Sequence, residues 1–265
     1  MKKRIIIDKY VGETPLMTLR RWKKANPEYR DIPASYAGRL DPMAHGKLLV
    51  LLGEECKRQK MYTNLDKEYE IEVLLDAGSD TGDALGLIAY ADTETIPTRA
   101  ALDAAIRAER GAHLREYPRF SSKTVHGKPL FLHALEGTID HITVPEHEER
   151  IYAISQKSVA RMSSEMLAAY IADFLLNVPI SNEPSKRLGA DFRLDEVRAS
   201  WKTLFAQAGQ RTFTVLSLRV ACGSGAYMRS LSGRIGSALG THALALSIRR
   251  TKIGKYWKGF WLSRL

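Results

Sequence analysis

Cysteine is scarce in this chain. Cys56 and Cys222 are the only two in 265 residues, so at most one disulfide could form and no disulfide framework supports the fold. Such sparse use fits a reducing compartment, and the chain reads as cytoplasmic. Neither cysteine has another close by, and the seven histidines show no paired ligand spacing, so no metal site is expected. Long apolar runs are missing as well: no stretch reaches the roughly 18 residues that a membrane helix requires. The opening "MKKRIIIDKYVG" has a basic head, but its apolar run ends at Ile7, too short for a signal-peptide core. Internal repeats and low-complexity linkers are also lacking. What remains is a chain with 45% hydrophobic and 26% charged residues, able to bury a core.

One further absence is local. From Arg211 to Leu265 there are ten Lys or Arg residues and no Asp or Glu, while the first 210 residues are balanced at 30 against 30, so the whole net charge of +10 lies in this stretch. Like charges raise the energy of a compact state, and a polyanion that accepts Lys and Arg relieves it. No basic helix with a bulky apolar face stands out for a lipid surface, so no membrane partner is expected and nucleic acid is favoured. The basic segment "SIRRTKIGKY", with Arg249, Arg250 and Lys252, reads as a phosphate-binding edge.

Period-two alternation in "KEYEIEVLL" sets Tyr69, Ile71, Val73 and Leu75 on one face and Glu68, Glu70 and Glu72 on the other, a half-buried strand. "TVLSLRVAC" repeats the pattern, and "KLLVLLG" suits a buried strand. Helical spacing occurs in "PLMTLRRWKKAN", "TRAALDAAIRAE", "SSEMLAAYIADFLLN", "LDEVRASWKTLFAQAG" and "AYMRSLSGRIGSAL", the last with Tyr227, Leu231 and Ile235 as its buried stripe and Arg229 off it. Strands dispersed among helices argue for a mixed fold around a largely antiparallel sheet. "NVPISNEPSKRLGAD", Asn177 to Asp191, has two prolines and mixed charge and reads as a loop.

Within "YAGRLDPMAHG" a single carboxylate, Asp41, stands between an arginine and a proline in a glycine-bounded loop. Asp before Pro is a turn signal, and taken alone the stretch is most simply a structural turn. Five segments in order change that reading. "IIIDKYVGETP" is similar to DKPxGxTS. "YAGRLDPMAHGKLLVLLGEECK" is similar to GTLDPxAxGxLxxxxGxATK. "DKEYEIEVLLDAGSDTGDALGLI" is similar to KxYxxxxxLGxxTDTxDxxG, and "YPRFSSKTVHGKPLFLHALEG" to PPxYSAxKxxGxxxYxxAREG. "CGSGAYMRSLSGRIGSALGTHALALSIRRTKIGKY" is similar to CSxGTYIRxLxxDLGxxLGxxAxxxxLRRxxxGxF. Together they resemble the TruB family of pseudouridine synthases, which isomerise uridine in RNA to pseudouridine.

The resemblance implies an α+β pseudouridine synthase fold, with a mixed, largely antiparallel central sheet flanked by helices and no C-terminal PUA module. It implies one catalytic domain over residues 1–265, carrying a helical insertion over about 163–210. No cofactor is implied. Asp41 takes the place of the catalytic aspartate, Arg229 of the arginine that pairs with it, and Tyr69 of the tyrosine that stacks on the target base. Lys9, Tyr36, Arg39 and Tyr227 fall among substrate-binding positions, with Arg249, Arg250 and Lys252 on the basic edge. Tyr36 stands where the family has a histidine, Tyr10 replaces the proline of DKP, and Arg39 before Leu-Asp is typical of sister families. The implied partner is RNA, most simply the tRNA T arm at position fifty-five, for a monomer needing neither guide RNA nor accessory protein. A synthase for another RNA, or a non-catalytic RNA-binding or folding factor, are the alternatives.

Overall fold

The computed structural model describes residues 2–178 and 193–264, so most of the Asn177 to Asp191 stretch expected as a loop lies outside the described residues. The opening strand β1 (Arg4–Lys9) is followed by a helix over Pro15–Ala25, then β2 (Ala34–Ala37), β3 (His45–Leu52) and β4 (Asp66–Leu75). Thr14 caps the helix, its Oγ1 accepting from the Met17 N–H, and Pro15 occupies the first turn, where its missing N–H costs nothing. Two small strands, β5 (Ala77–Ser79) and β6 (Ile88–Tyr90), form a separate hairpin. A helix over Arg99–Ala108 leads to β7 (Gly111–Glu116). The short pair β8 (Thr124–Val125) and β9 (Lys128–Pro129) then precedes a helical turn over Leu130–Leu135. The long β10 (Glu146–Ser163) is joined to β11 (Thr212–Cys222) through helices Ser164–Leu176 and Leu194–Ala208. The helix Met228–Ala238 then leads into β12 (Ala243–Trp257) and β13 (Phe260–Arg264).

Seven strands hydrogen-bond in the order β1-β3-β12-β4-β11-β10-β7, with β2 added to β3 and β13 to β12. Every pairing is antiparallel except β12 with β3, where Arg249 and Arg250 lie opposite His45 and Gly46. The α+β class and the mixed, largely antiparallel sheet are therefore as expected. The Tyr69–Ile71–Val73 face of β4 joins the main core with Leu216, Leu218 and Val220 of β11 and Leu231 and Ile235 of the Met228–Ala238 helix. Tyr227, expected on that helix's buried stripe, instead precedes the helix in extended conformation and faces a cleft.

The two helices within 163–210 share the main core rather than forming one of their own. Leu167, Ile171, Val197, Trp201 and Leu204 are all buried in it. The Trp201 indole N–H also donates to the Ala84 carbonyl at 3.1 Å.

The register of β4 with its neighbours explains the missing acids. Arg249 lies opposite Glu70 and Lys252 opposite Glu68 across β12, and Arg219 lies opposite Glu70 across β11. Lys252 approaches Glu68 at 3.0 Å, and Glu70 gathers Lys157 at 2.6 Å, Arg219 at 3.2 Å and Arg249 at 4.0 Å. Arg211 pairs with buried Asp76 at 3.1 Å, and Arg234 pairs with Glu149 and Glu109. Much of the acid-free C-terminal charge is thus answered by carboxylates from earlier in the chain. Opposite charges facing each other across a ladder stabilise the pairing.

Candidate active site

The loop between β2 and β3 carries Asp41, and a set of buried cations holds it from below. Gly38 and Gly46 bracket it with φ of 75° and 97°, a region that favours glycine. At Gly46 there is a second reason: a Cβ would overlap the Arg250 carbonyl oxygen, so only glycine lets β3 run beside β12 here. Arg250, 1% exposed, donates to the carbonyls of Lys47 (2.7 Å), Gly38 (3.1 Å) and Arg39 (3.2 Å). Lys9, also 1% exposed, donates from Nζ to the carbonyls of Tyr10, Pro42 and Ala44. Burial pushes the Lys9 amine down to about 7.

Both residues were expected to touch RNA; in the structure each is enclosed, with its N–H groups spent on backbone carbonyls around the Asp41 loop. Arg249, next in the strand and on the opposite face, is exposed, and Lys252 is half-buried against Glu68.

Asp41 projects from this loop with its side chain 37% exposed, between two clefts. Its Oδ2 accepts from Arg229 Nε at 2.6 Å. Arg229 is 3% exposed, and its remaining N–H groups donate to the carbonyls of Thr81 (2.7 Å) and Phe120 (2.9 Å). Burial disfavours its charge, but Asp41 and Asp83 outweigh that and hold the guanidinium above its ordinary range. The guanidinium is thereby fixed in place, and its strong bond leaves the other Asp41 oxygen for a substrate.

Asp83 was not picked out from the sequence, although it lies inside a quoted segment, "SDTGDALG". Its Oδ2 stands 3.7 Å from Arg229 Nε, and its Oδ1 accepts from Thr81 Oγ1 and the Leu85 N–H. Burial raises its carboxyl to about 6, against the pull of Arg229. Spacing gave no signal, because the meeting of β5, the Met228–Ala238 helix and the Asp41 loop is made only by the fold.

The larger cleft, about 340 Å³, is largely apolar, with Tyr36, Leu40, Leu85, Phe120 and Phe131 in its walls. The smaller, about 190 Å³, is bounded by Tyr69, Lys67, Tyr227 and the Gly223–Gly225 turn. Tyr69 is 8% exposed, and burial pushes its hydroxyl up to about 12, so it stays neutral. Burial does the same to Tyr227 and drives the Lys67 amine down to about 8. Arg39 is exposed and lines both clefts. The structure thus brings Asp41, Arg229, Tyr69, Tyr36, Arg39 and Tyr227 to one place. Among the described residues no group of His, Cys, Asp and Glu is arranged to hold a metal ion.

A carboxylate held by a buried guanidinium thus stands at the junction of two clefts on this sheet. The crystal structure of a Cbf5–Nop10–Gar1 complex matches over 95% of this chain with a TM-score of 0.54 at 17% identity, this chain covering 48% of that one. A structure of an H/ACA RNP bound to a substrate RNA containing 2′-deoxyuridine matches at 0.51. The TruB family pseudouridylate synthase (N terminal domain) pattern matches residues 29–174, and the chain belongs to that family. It is 29% identical over 255 residues to tRNA pseudouridine synthase B of Azoarcus sp., covering 95% of this chain and 65% of the relative's length. It is 24% identical to the enzyme of the same name from Blochmanniella floridana and 26% to that of Borreliella burgdorferi, spanning 76% and 70% of their lengths.

Proposed function

We propose that this chain is an RNA pseudouridine synthase, with Asp41 as its catalytic aspartate and the T-arm uridine of tRNA at position fifty-five as its substrate. The observation that carries this reading is the half-exposed Asp41 carboxylate, 2.6 Å from a buried Arg229 and open to both clefts. The isomerisation breaks the bond from ribose C1′ to N1 of uracil and forms one from C1′ to C5. N1 ends with a proton and C5 has lost one, so no oxidant or reductant enters. Positive charge builds on the sugar as the first bond breaks, and a carboxylate is the group to answer it. Arg229 pairs with that carboxylate beside apolar walls through a charged hydrogen bond.

Ribose C1′ is shielded within a folded stem-loop, so the target nucleotide must leave its neighbours. The smaller cleft suits the extruded base, with Tyr69 as its stacking face. The tRNA assignment draws on the relatives, which are named for tRNA. A different RNA is the second reading, favoured by Tyr36 in the cleft wall where the family has a histidine.

Mapping pseudouridines across total RNA from cells with and without this gene tests the assignment, and loss of the T-arm modification is the expected result. Purified Asp41→Asn should bind RNA near normally and form no product in single-turnover assays. Unchanged pseudouridine maps together with an active Asp41→Asn would overturn the function and the site.

A further inference from the structure

Among the described residues of the 163–210 segment, Arg193 is the one in the walls of the Asp41 cleft, which also holds Arg229, Phe120 and Leu16. It immediately precedes the Leu194–Ala208 helix, where capping favours a short side chain such as Ser or Asp. Arg193 makes no capping bond through its side chain. It also adopts a left-handed backbone, φ 52° and ψ 40°, a conformation disfavoured for a long side chain and commonest where a site requires it.

That conformation delivers the guanidinium to the cleft. It lies 5.0 Å over the centre of the Phe120 ring, and its Nη2 stands 2.8 Å from Asp80 Oδ2. Phe120 also gives its carbonyl to Arg229. One residue therefore supports the arginine that holds Asp41 on its backbone and the arginine at the cleft wall on its ring.

We propose that Arg193 is a substrate-contacting residue supplied by the 163–210 segment, taking a phosphate oxygen of the RNA beside the extruded nucleotide. A guanidinium is a planar fork, and one seated over an aromatic face at a cleft wall suits a phosphate, which it can bind with two parallel bonds. The pair with Asp80 orients it at modest cost, because both side chains are partly exposed and a phosphate competes well with an exposed carboxylate. The segment would then shape which RNA is accepted, through a contact made at the catalytic cleft itself. This rests on the reading of the chain as an RNA-modifying enzyme.

An unmodified tRNA transcript is the probe, with Arg193→Gln, Arg193→Lys and a control on the same helix, Arg198→Gln, whose pair with Asp195 is exposed. Affinity, its salt dependence, saturating single-turnover rate and melting temperature are measured for each. Arg193→Gln should weaken binding about tenfold, the scale of a lost charged hydrogen bond. It should also flatten the log–log salt slope by about 0.7 to 0.9, the share of one phosphate, at unchanged saturating rate and melting temperature. Arg193→Lys should restore the slope but only part of the affinity, and Arg198→Gln should match wild type. Wild-type affinity and slope in Arg193→Gln would overturn the proposal, as would a loss that follows a lowered melting temperature or one shared by Arg198→Gln. A wild-type protein that neither binds nor converts the transcript would sink the functional reading, and this contact with it. Wild-type conversion with an indifferent Arg193 would sink the contact alone.

Discussion

Arg229 and Asp41 are 188 positions apart in the chain and 2.6 Å apart in space, with Asp83 Oδ2 approaching the same Nε at 3.7 Å. Removing the cation therefore strands two carboxylates, one of them fully buried. Arg229→Ala is expected to abolish detectable turnover and to destabilise the fold by roughly 3–5 kcal/mol, the range for a broken buried pair. If Asp41 and Arg229 act as one unit, Asp41→Glu combined with Arg229→Lys should be barely slower than the worse single variant. Single-turnover rates of the three proteins check this, and fully additive losses would show two independent contributions.

On the proposed reading Tyr69 offers the extruded base a face, and burial pushes its hydroxyl too far up to ionise near neutrality. Tyr69→Phe should keep most RNA affinity, while Tyr69→Ala should lose about 1–3 kcal/mol of binding. Equal damage from both would assign the role to the hydroxyl instead. Titration of each variant against the same transcript separates the cases.

Arg249 and Arg250 are neighbours with opposite fates. Arg250→Gln should leave the salt slope of RNA binding unchanged and lower stability by roughly 3 kcal/mol, since three carbonyls lose a buried charged donor. Arg249→Gln should leave stability unchanged and flatten the slope by up to about 0.9. Thermal melts and salt titrations of the pair make the comparison; a reversed pattern would return Arg250 to the RNA surface.

Lys9 makes stability depend on pH. Its amine falls from 10.5 to about 7, chiefly through burial, so between those values the native chain binds fewer protons than the unfolded chain. Stability must then rise with pH through that window, and the deficit is complete below pH 7. Lys67, lowered to about 8, acts in the same sense. Lys9→Met, although less stable overall, should gain less on going from pH 7 to pH 9 than wild type does. Denaturant titrations at the two pH values test this, and an equal gain in both proteins would exclude Lys9 as the source.

Period and capping made most elements legible from the sequence: Thr14, Thr98 and Ser163 each cap the helix that the apolar spacing announces. The Asp41 loop was legible through motif order, and Arg229 and Tyr69 with it. What the chain hid was pairing between distant strands. Ten cations without an acid look unneutralised until β4, with Glu68 and Glu70, is laid between β11 and β12. Asp83 was hidden for the same reason, because its significance is its distance from Arg229. Lys9 and Arg250 were read as surface residues because basic side chains usually are; burial was invisible without the loop they hold.

Arg250 reaches back 211 positions to the Arg39 carbonyl, and Gly46 accepts its backbone in the sheet's parallel contact. A contact of such sequence separation is slow to form and is made only after intervening elements are in place. On the ribosome, the loop bearing the acid must wait, unbraced, until almost all of the described chain has been synthesised. The candidate site is therefore a late product of folding, and a nascent or truncated chain lacking β12 would carry every residue of the first four motifs with the Asp41 loop unbraced.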